Sequence, residues 1–204
     1  MNYTIRTSRT KKRGFTLTEI AIVLGIVGLI LGAIWVAAAA VYNNLRTAHA
    51  NTEVLQIAQA VRALYATSNM IGAGAAADQT PALITAGVTP KDLGTVAPLI
   101  NPWPNGNTAV WSNAVGDGFE IIMTGVPQSA CINLLVSVGG ATADPGLYDA
   151  TAIASAAPAA GDAAASGPRI AGVTPVLAAA AIANSMGGCT NPLNKVRLGF
   201  SLKS

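Results

Sequence analysis

Gly14-Phe15-Thr16-Leu17-Thr18-Glu19 stands between a basic leader and a long uncharged run, and the reading of this junction decides the fold. Arg6, Arg9, Lys11, Lys12 and Arg13 precede Gly14, and residues 1–14 contain no acid. After Glu19 the next charged residue is Arg46. As helix, Ile20 to Tyr42 would reach roughly 34 Å, enough for a hydrocarbon core of about 30 Å. The cations on its amino side hold the leader in the cytoplasm, so the carboxyl-terminal bulk is exported. An ordinary secretory signal is cut after an apolar stretch of about 7–15 residues. Here the stretch is longer and the natural cut lies before it. Glu19 needs a reason as well, because an acid at mid-membrane costs on the order of 3 kcal/mol, though less near the interface.

The arrangement resembles the type IV prepilin signal, most like the type IVb subgroup. That resemblance implies a prepilin peptidase cut between Gly14 and Phe15, followed by N-methylation of Phe15. It implies that Glu19 attracts the amino terminus of a neighbouring subunit during assembly. It also implies an α+β type IV pilin fold: a long N-terminal α-helix packed on an antiparallel β-sheet head with a C-terminal disulfide-bounded region. The partners it implies are other copies of the same chain in a helical homopolymer, the peptidase, and the inner-membrane pilus assembly machinery. The precursor would sit in the inner membrane and the product in a pilus on the surface of a Gram-negative-type bacterium. Adhesion, twitching, mating contact and DNA uptake all use similar subunits.

Removing the leader changes the bulk chemistry. The whole chain carries a formal net charge of +3, but the mature part keeps seven basic residues against nine acids, a net −2. The basic balance is therefore no argument for nucleic acid as a partner. The remaining 190 residues suffice for one helix and one head. We divide the chain into a leader (1–14), an apolar helix (15–45), an amphipathic helix (46–70), an αβ-loop (71–118) and a sheet region (119–204).

The helix is expected to run from about Phe15 to Asn69, near 80 Å at 1.5 Å per residue. Leu45 to Asn69 contains neither proline nor glycine, and Val54, Ile57, Val61 and Leu64 form one apolar stripe. Gly25, Gly28 and Gly32 interrupt the apolar half. Gly28 and Gly32 match the small-xxx-small spacing for close helix approach in membranes. From Ile71 the chain turns to Gly, Pro and Ala. Thr80 to Val88 reads as a short helix with Thr80 as cap and Pro81 at its first position. Asn101-Pro-Trp-Pro-Asn-Gly106 follows as a turn-rich stretch.

Three strands are expected: Phe119–Thr124 with Glu120 facing out, Ala130–Val138, and Val196–Lys203. On the last, Val196, Leu198, Phe200 and Leu202 would face the core, with Lys195, Arg197 and Lys203 on a wet face. Residues 156–167 read as a surface loop, and Pro175–Met186 as a helix capped by Thr174. Cys131 and Cys189, the only cysteines, both lie in the exported part, where thiols oxidise. A C-terminal disulfide is also what the resemblance implies for residues 131–189. Closing about 59 residues would stabilise by roughly 4 kcal/mol. Two unrelated buried thiols are the other reading.

Nothing in the chain reads as catalytic. No catalytic triad, P-loop, dinucleotide fingerprint or zinc-protease motif is present, and His49 is the sole histidine. No cofactor and no metal are expected. The leading function is a major pilin. The alternatives are a minor pilin or pseudopilin of a secretion or DNA-uptake system and, from another class, a secreted binding domain cut near Ala37–Ala40. Lys195, Arg197 and Lys203 would carry any contact with DNA.

Overall fold

The computed structural model describes residues 15–68, 70–72, 76–113, 115–138, 144, 146–154 and 189–203. The expected loop at 156–167 and helix at Pro175–Met186 lie outside these residues, as does the leader with Gly14. Contacts divide the chain into two compact units, up to Tyr42 and from Asn43 onward. A single helix, α1 (Leu17–Leu64), contributes to both. Its end falls a turn earlier than expected, where Tyr65–Thr67 leave the helix as a turn.

The first unit is the apolar part of α1. Every side chain from Phe15 to Leu45 is exposed. A Cβ added at Gly25, Gly28 or Gly32 would meet nothing within 4 Å.

The second unit is an α+β head. Its part of α1 buries Thr47, Ala50, Glu53, Val54, Ile57, Ala58 and Val61, a stripe at helical spacing. Below the stripe lies a five-stranded antiparallel sheet of order β1-β2-β3-β5-β4. The strands are β1 (Leu99–Ile100), β2 (Asn107–Ser112), β3 (Gly118–Pro127), β4 (Leu147–Ala154) and β5 (Leu193–Ser201). The last strand in the chain therefore lies between β3 and β4. Pairing sets Phe119 opposite Phe200, Ile121 opposite Leu198 and Met123 opposite Val196. Period-2 alternation puts all six on one face, in the same core as Val54, Ile57 and Val61. The Phe119 and Phe200 rings stack with centroids 5.6 Å apart.

Three expectations are corrected. Ala130–Val138 is not a strand: it belongs to helix α3 (Gln128–Val138). Its alternating apolar positions coexist with Cys131, Leu134, Leu135 and Val138 at i, i+3, i+4 and i+7, and these four are buried together with Ala130. The segment expected as loop, 71–118, already contains β1 and β2, so the sheet starts earlier than residue 119. Thr80 does not cap α2 (Thr80–Thr85) but is its first residue. Its N–H donates to Asp78 Oδ1 at 2.9 Å, and its Oγ1 accepts the Val110 N–H at 2.9 Å, tying α2 to β2.

The Asn-Pro-Trp stretch works as a turn lock. Asn101 Nδ2 donates to the carbonyls of Asn107 (3.1 Å) and Thr124 (2.8 Å), and Oδ1 accepts the Trp103 N–H at 3.1 Å. Gly106 is required here, since a Cβ would collide with the Asn101 side chain and the Thr124 carbonyl.

Candidate processing and assembly site

The start of α1 carries a reciprocal capping box. Thr16 precedes the first helical turn, and Glu19 lies three residues on. The Thr16 N–H and Oγ1 each donate to Glu19 Oε2 at 3.0 Å, and the Glu19 N–H reaches Thr16 Oγ1 at 3.4 Å. Two backbone donors that a helix start leaves without partners are thus satisfied, and the acid sits at the positive end of the helix dipole. The sequence signal for this, Thr16-x-x-Glu19, stands in the quoted junction, but Thr16 was not singled out there.

Around that polar start everything is apolar and open. Phe15 is 82% exposed, and Ile20, Ile22, Val23, Leu24, Ile26 and Val27 are exposed with it. α1 is the one helix among the described residues long and apolar enough to cross a membrane. Such a surface has no stable place in water, because its apolar area remains hydrated. A helix satisfies its own backbone, so hydrocarbon or the apolar helices of other chains are suitable surroundings.

The head places the other residues singled out. Cys131 on α3 and Cys189 before β5 form a disulfide with Cα atoms 5.9 Å apart, and both are fully buried. The wet face expected for β5 is corrected. Lys195 is only 3% exposed, and Arg197 is half-buried with Nε 3.8 Å from Glu120 Oε2. Glu120, expected to face out, is 2% exposed and pairs across strands with Trp111. Lys203 alone of the three cations is exposed. The side of the sheet away from α1 is therefore no open basic strip, and Ile122 and Ala109 on that side are buried too. Among the described residues no group of three or more His, Cys, Asp or Glu side chains is arranged to hold a metal.

Two interactions join residues too distant in sequence to be paired by reading. Arg62 grips Asp144 with both terminal nitrogens, at 2.6 and 2.8 Å, and donates from Nε to the Ser201 carbonyl at 3.1 Å. Its guanidinium also lies 5.8 Å from the Phe200 ring centroid. The Arg62 hydrogen bonds hold the Asp144 carboxyl below its ordinary range despite partial burial. Ser137 Oγ donates to Asn51 Oδ1 at 2.8 Å and fastens α3 beside α1.

An apolar helix with a capped acidic start, leading into an amphipathic half laid on an antiparallel sheet with a disulfide, is the architecture of type IV pilins. Residues 9–35 match the family model described as Prokaryotic N-terminal methylation motif. Residues 44–170, more than half of the chain, match the model described as PilS N terminal, and the chain belongs to that family as a type IV pilin. These matches assign no subgroup. No curated protein matches the chain. The methylation motif implies processing by prepilin peptidase and assembly into a pilus, and the pilin family is structural rather than enzymatic. With the apolar helix, the motif fits a membrane-anchored precursor that later becomes part of a pilus.

Proposed function

We propose that this chain is a major pilin, nearest the type IVb subgroup, that polymerises into a type IV pilus. The peptidase cuts between Gly14 and Phe15, Phe15 is N-methylated, and the apolar half of α1 passes from the membrane into the filament. The observation that carries this reading is the combination of a fully exposed apolar helix with a single acid in its first turn. Glu19 is the acid that meets the amino terminus of a neighbouring subunit. Its capping bonds to Thr16 hold the carboxylate at the helix start, where an incoming amine would find it. That pairing offsets the cost of taking the carboxylate out of water and sets the docking register. Abundance in sheared filaments separates a major from a minor subunit.

The test is Glu19→Ala in cells. The variant is expected to insert and to be cut like the wild type, yet to leave the surface bare or nearly bare of filaments. Normal piliation by Glu19→Ala would overturn the assembly role.

A further inference from the structure

Glu53 is the one acid on the part of α1 that packs in the head, and it points the wrong way for a soluble helix. It is only 7% exposed, and its Oε2 is enclosed without a hydrogen-bond partner. It sits on one flank of the buried stripe, in line with Ile57 and Ala60 one and two turns later. Ile57, Ala60 and Val61 line a small hollow with Leu83, Val88 and Thr89, so this flank faces the connection from α2 through the 3₁₀ turn Lys91–Leu93. A lone carboxylate in such a place is costly, whereas a carboxylic acid there costs far less. Burial, and then the negative charge of Asp92 on the 3₁₀ turn, push the Glu53 pKa up to about 7.

We propose that Glu53 is a proton-operated latch between α1 and residues 80–100: protonated, it lets that segment dock on the helix, and ionised, it loosens the contact. Few other groups bear on it. On the facing connection, residues 80–90 carry no titratable side chain, and the 3₁₀ turn carries Lys91 and Asp92, both exposed. α3 carries none besides its disulfide-bonded cysteine. On β3 and β5 the core residues Phe119, Ile121, Met123, Val126, Val196, Leu198 and Phe200 are apolar, and buried Asn194 beside them does not titrate. On α1 itself, exposed His49 lies one turn before Glu53 and half-buried Arg46 two turns before, while Arg62 is engaged with Asp144.

The sign follows from linkage. A carboxyl whose pKa is raised by docking binds more protons docked than released. Docking is therefore strongest at low pH, weakens as pH rises from the ordinary carboxyl range, and levels off above pH 7. The device acts where the surroundings pass from acidic to neutral.

Hydrogen exchange of the full-length chain in detergent, corrected for the intrinsic pH dependence of exchange, tests this. Protection of residues 80–100 is expected to fall on the order of 50-fold between pH 5 and 8.5, while the β3–β5 amides change little. Glu53→Gln should hold protection near its low-pH value throughout. Asp92→Asn, at an exposed position, should keep the response but move its upper end to lower pH, and it decides the matter should Glu53→Gln not fold. Protection that is flat with pH in the wild type, a Glu53→Gln response like the wild type's, or an Asp92→Asn response that does not move would each overturn the latch.

Discussion

Leu29 and Leu55 are leucines on the same helix, exposed by 75% and 44%, yet their surroundings differ in kind. Around Leu29 every face of the helix is apolar and none is covered. Around Leu55 the helix has two sides, a buried one led by Val54 and Ile57 and an open one carrying Thr52, Gln56 and Gln59. The carboxyl-terminal half finds its apolar partner within the chain, in the face of β3 and β5. The amino-terminal half has none among the described residues, and lipid or the apolar helices of other chains are suitable surroundings for it. One continuous helix thus holds a completed interface and an uncompleted one. The charges mark the change: none from Ile20 to Leu45, then Arg46, Glu53 and Arg62 within 17 residues.

The sharpest way to break this contrast is an acid on each side of it. Leu29→Asp should abolish filaments and impair insertion, since mid-membrane acids cost on the order of 3 kcal/mol. Leu55→Asp should leave piliation intact and change head stability by no more than about 0.5 kcal/mol, as expected for an exposed site. Piliation counts and membrane fractionation read the first, and urea unfolding the second. Equal effects from the two would erase the distinction between the halves.

Within the head the largest loss should come from the disulfide. Changing Cys131 and Cys189 to Ser opens a link across 58 residues and should lower stability by about 4 kcal/mol on the chain-entropy account. Urea unfolding of the full chain, with the oxidised wild type beside it, measures this. A loss under 1 kcal/mol would mean that the core holds the bracketed region without help.

Ile57→Ala comes next, at about 2–4 kcal/mol by the same measurement, because Ile57 is 2% exposed against the sheet. Arg62→Ala is expected to cost less, about 1–2 kcal/mol, because its pair with Asp144 is hydrogen-bonded but partly open to water. That contribution has a pH signature. Asp144 is held below its ordinary pKa, so the contribution is complete above the ordinary carboxyl range and is lost as pH falls through the lowered value. Wild type and Arg62→Ala should therefore converge in stability under strongly acid conditions. A constant gap down to pH 2 would assign the effect to packing over Phe200 instead.

Much of this was legible at the junction itself. A basic leader, Gly14, Phe15 and a lone Glu19 before 26 uncharged residues leave few physical solutions. β5 was legible because its alternation is strict. Its outer face was misread, since alternation tells which side chains share a face but not whether the second face is covered. Lys195 and Glu120 show the consequence. α3 was misread as a strand because nine apolar-rich residues satisfy both periods, and only contacts with α1 and the sheet decide between them. Arg62 and Asp144 lie 82 residues apart, and no local pattern pairs them. Glu53 lies off the stripe of Val54, Ile57, Val61 and Leu64, and no local pattern tells that its flank is interior, at 7% exposure.

The most direct test of the central claim is the intact mass of this protein in filaments sheared from living cells. The account predicts the mass of residues 15–204 plus one methyl group and minus two hydrogens, which reports the cut, the N-methylation and the disulfide together. A chain beginning near residue 40, or one recovered only as free soluble protein, would contradict it.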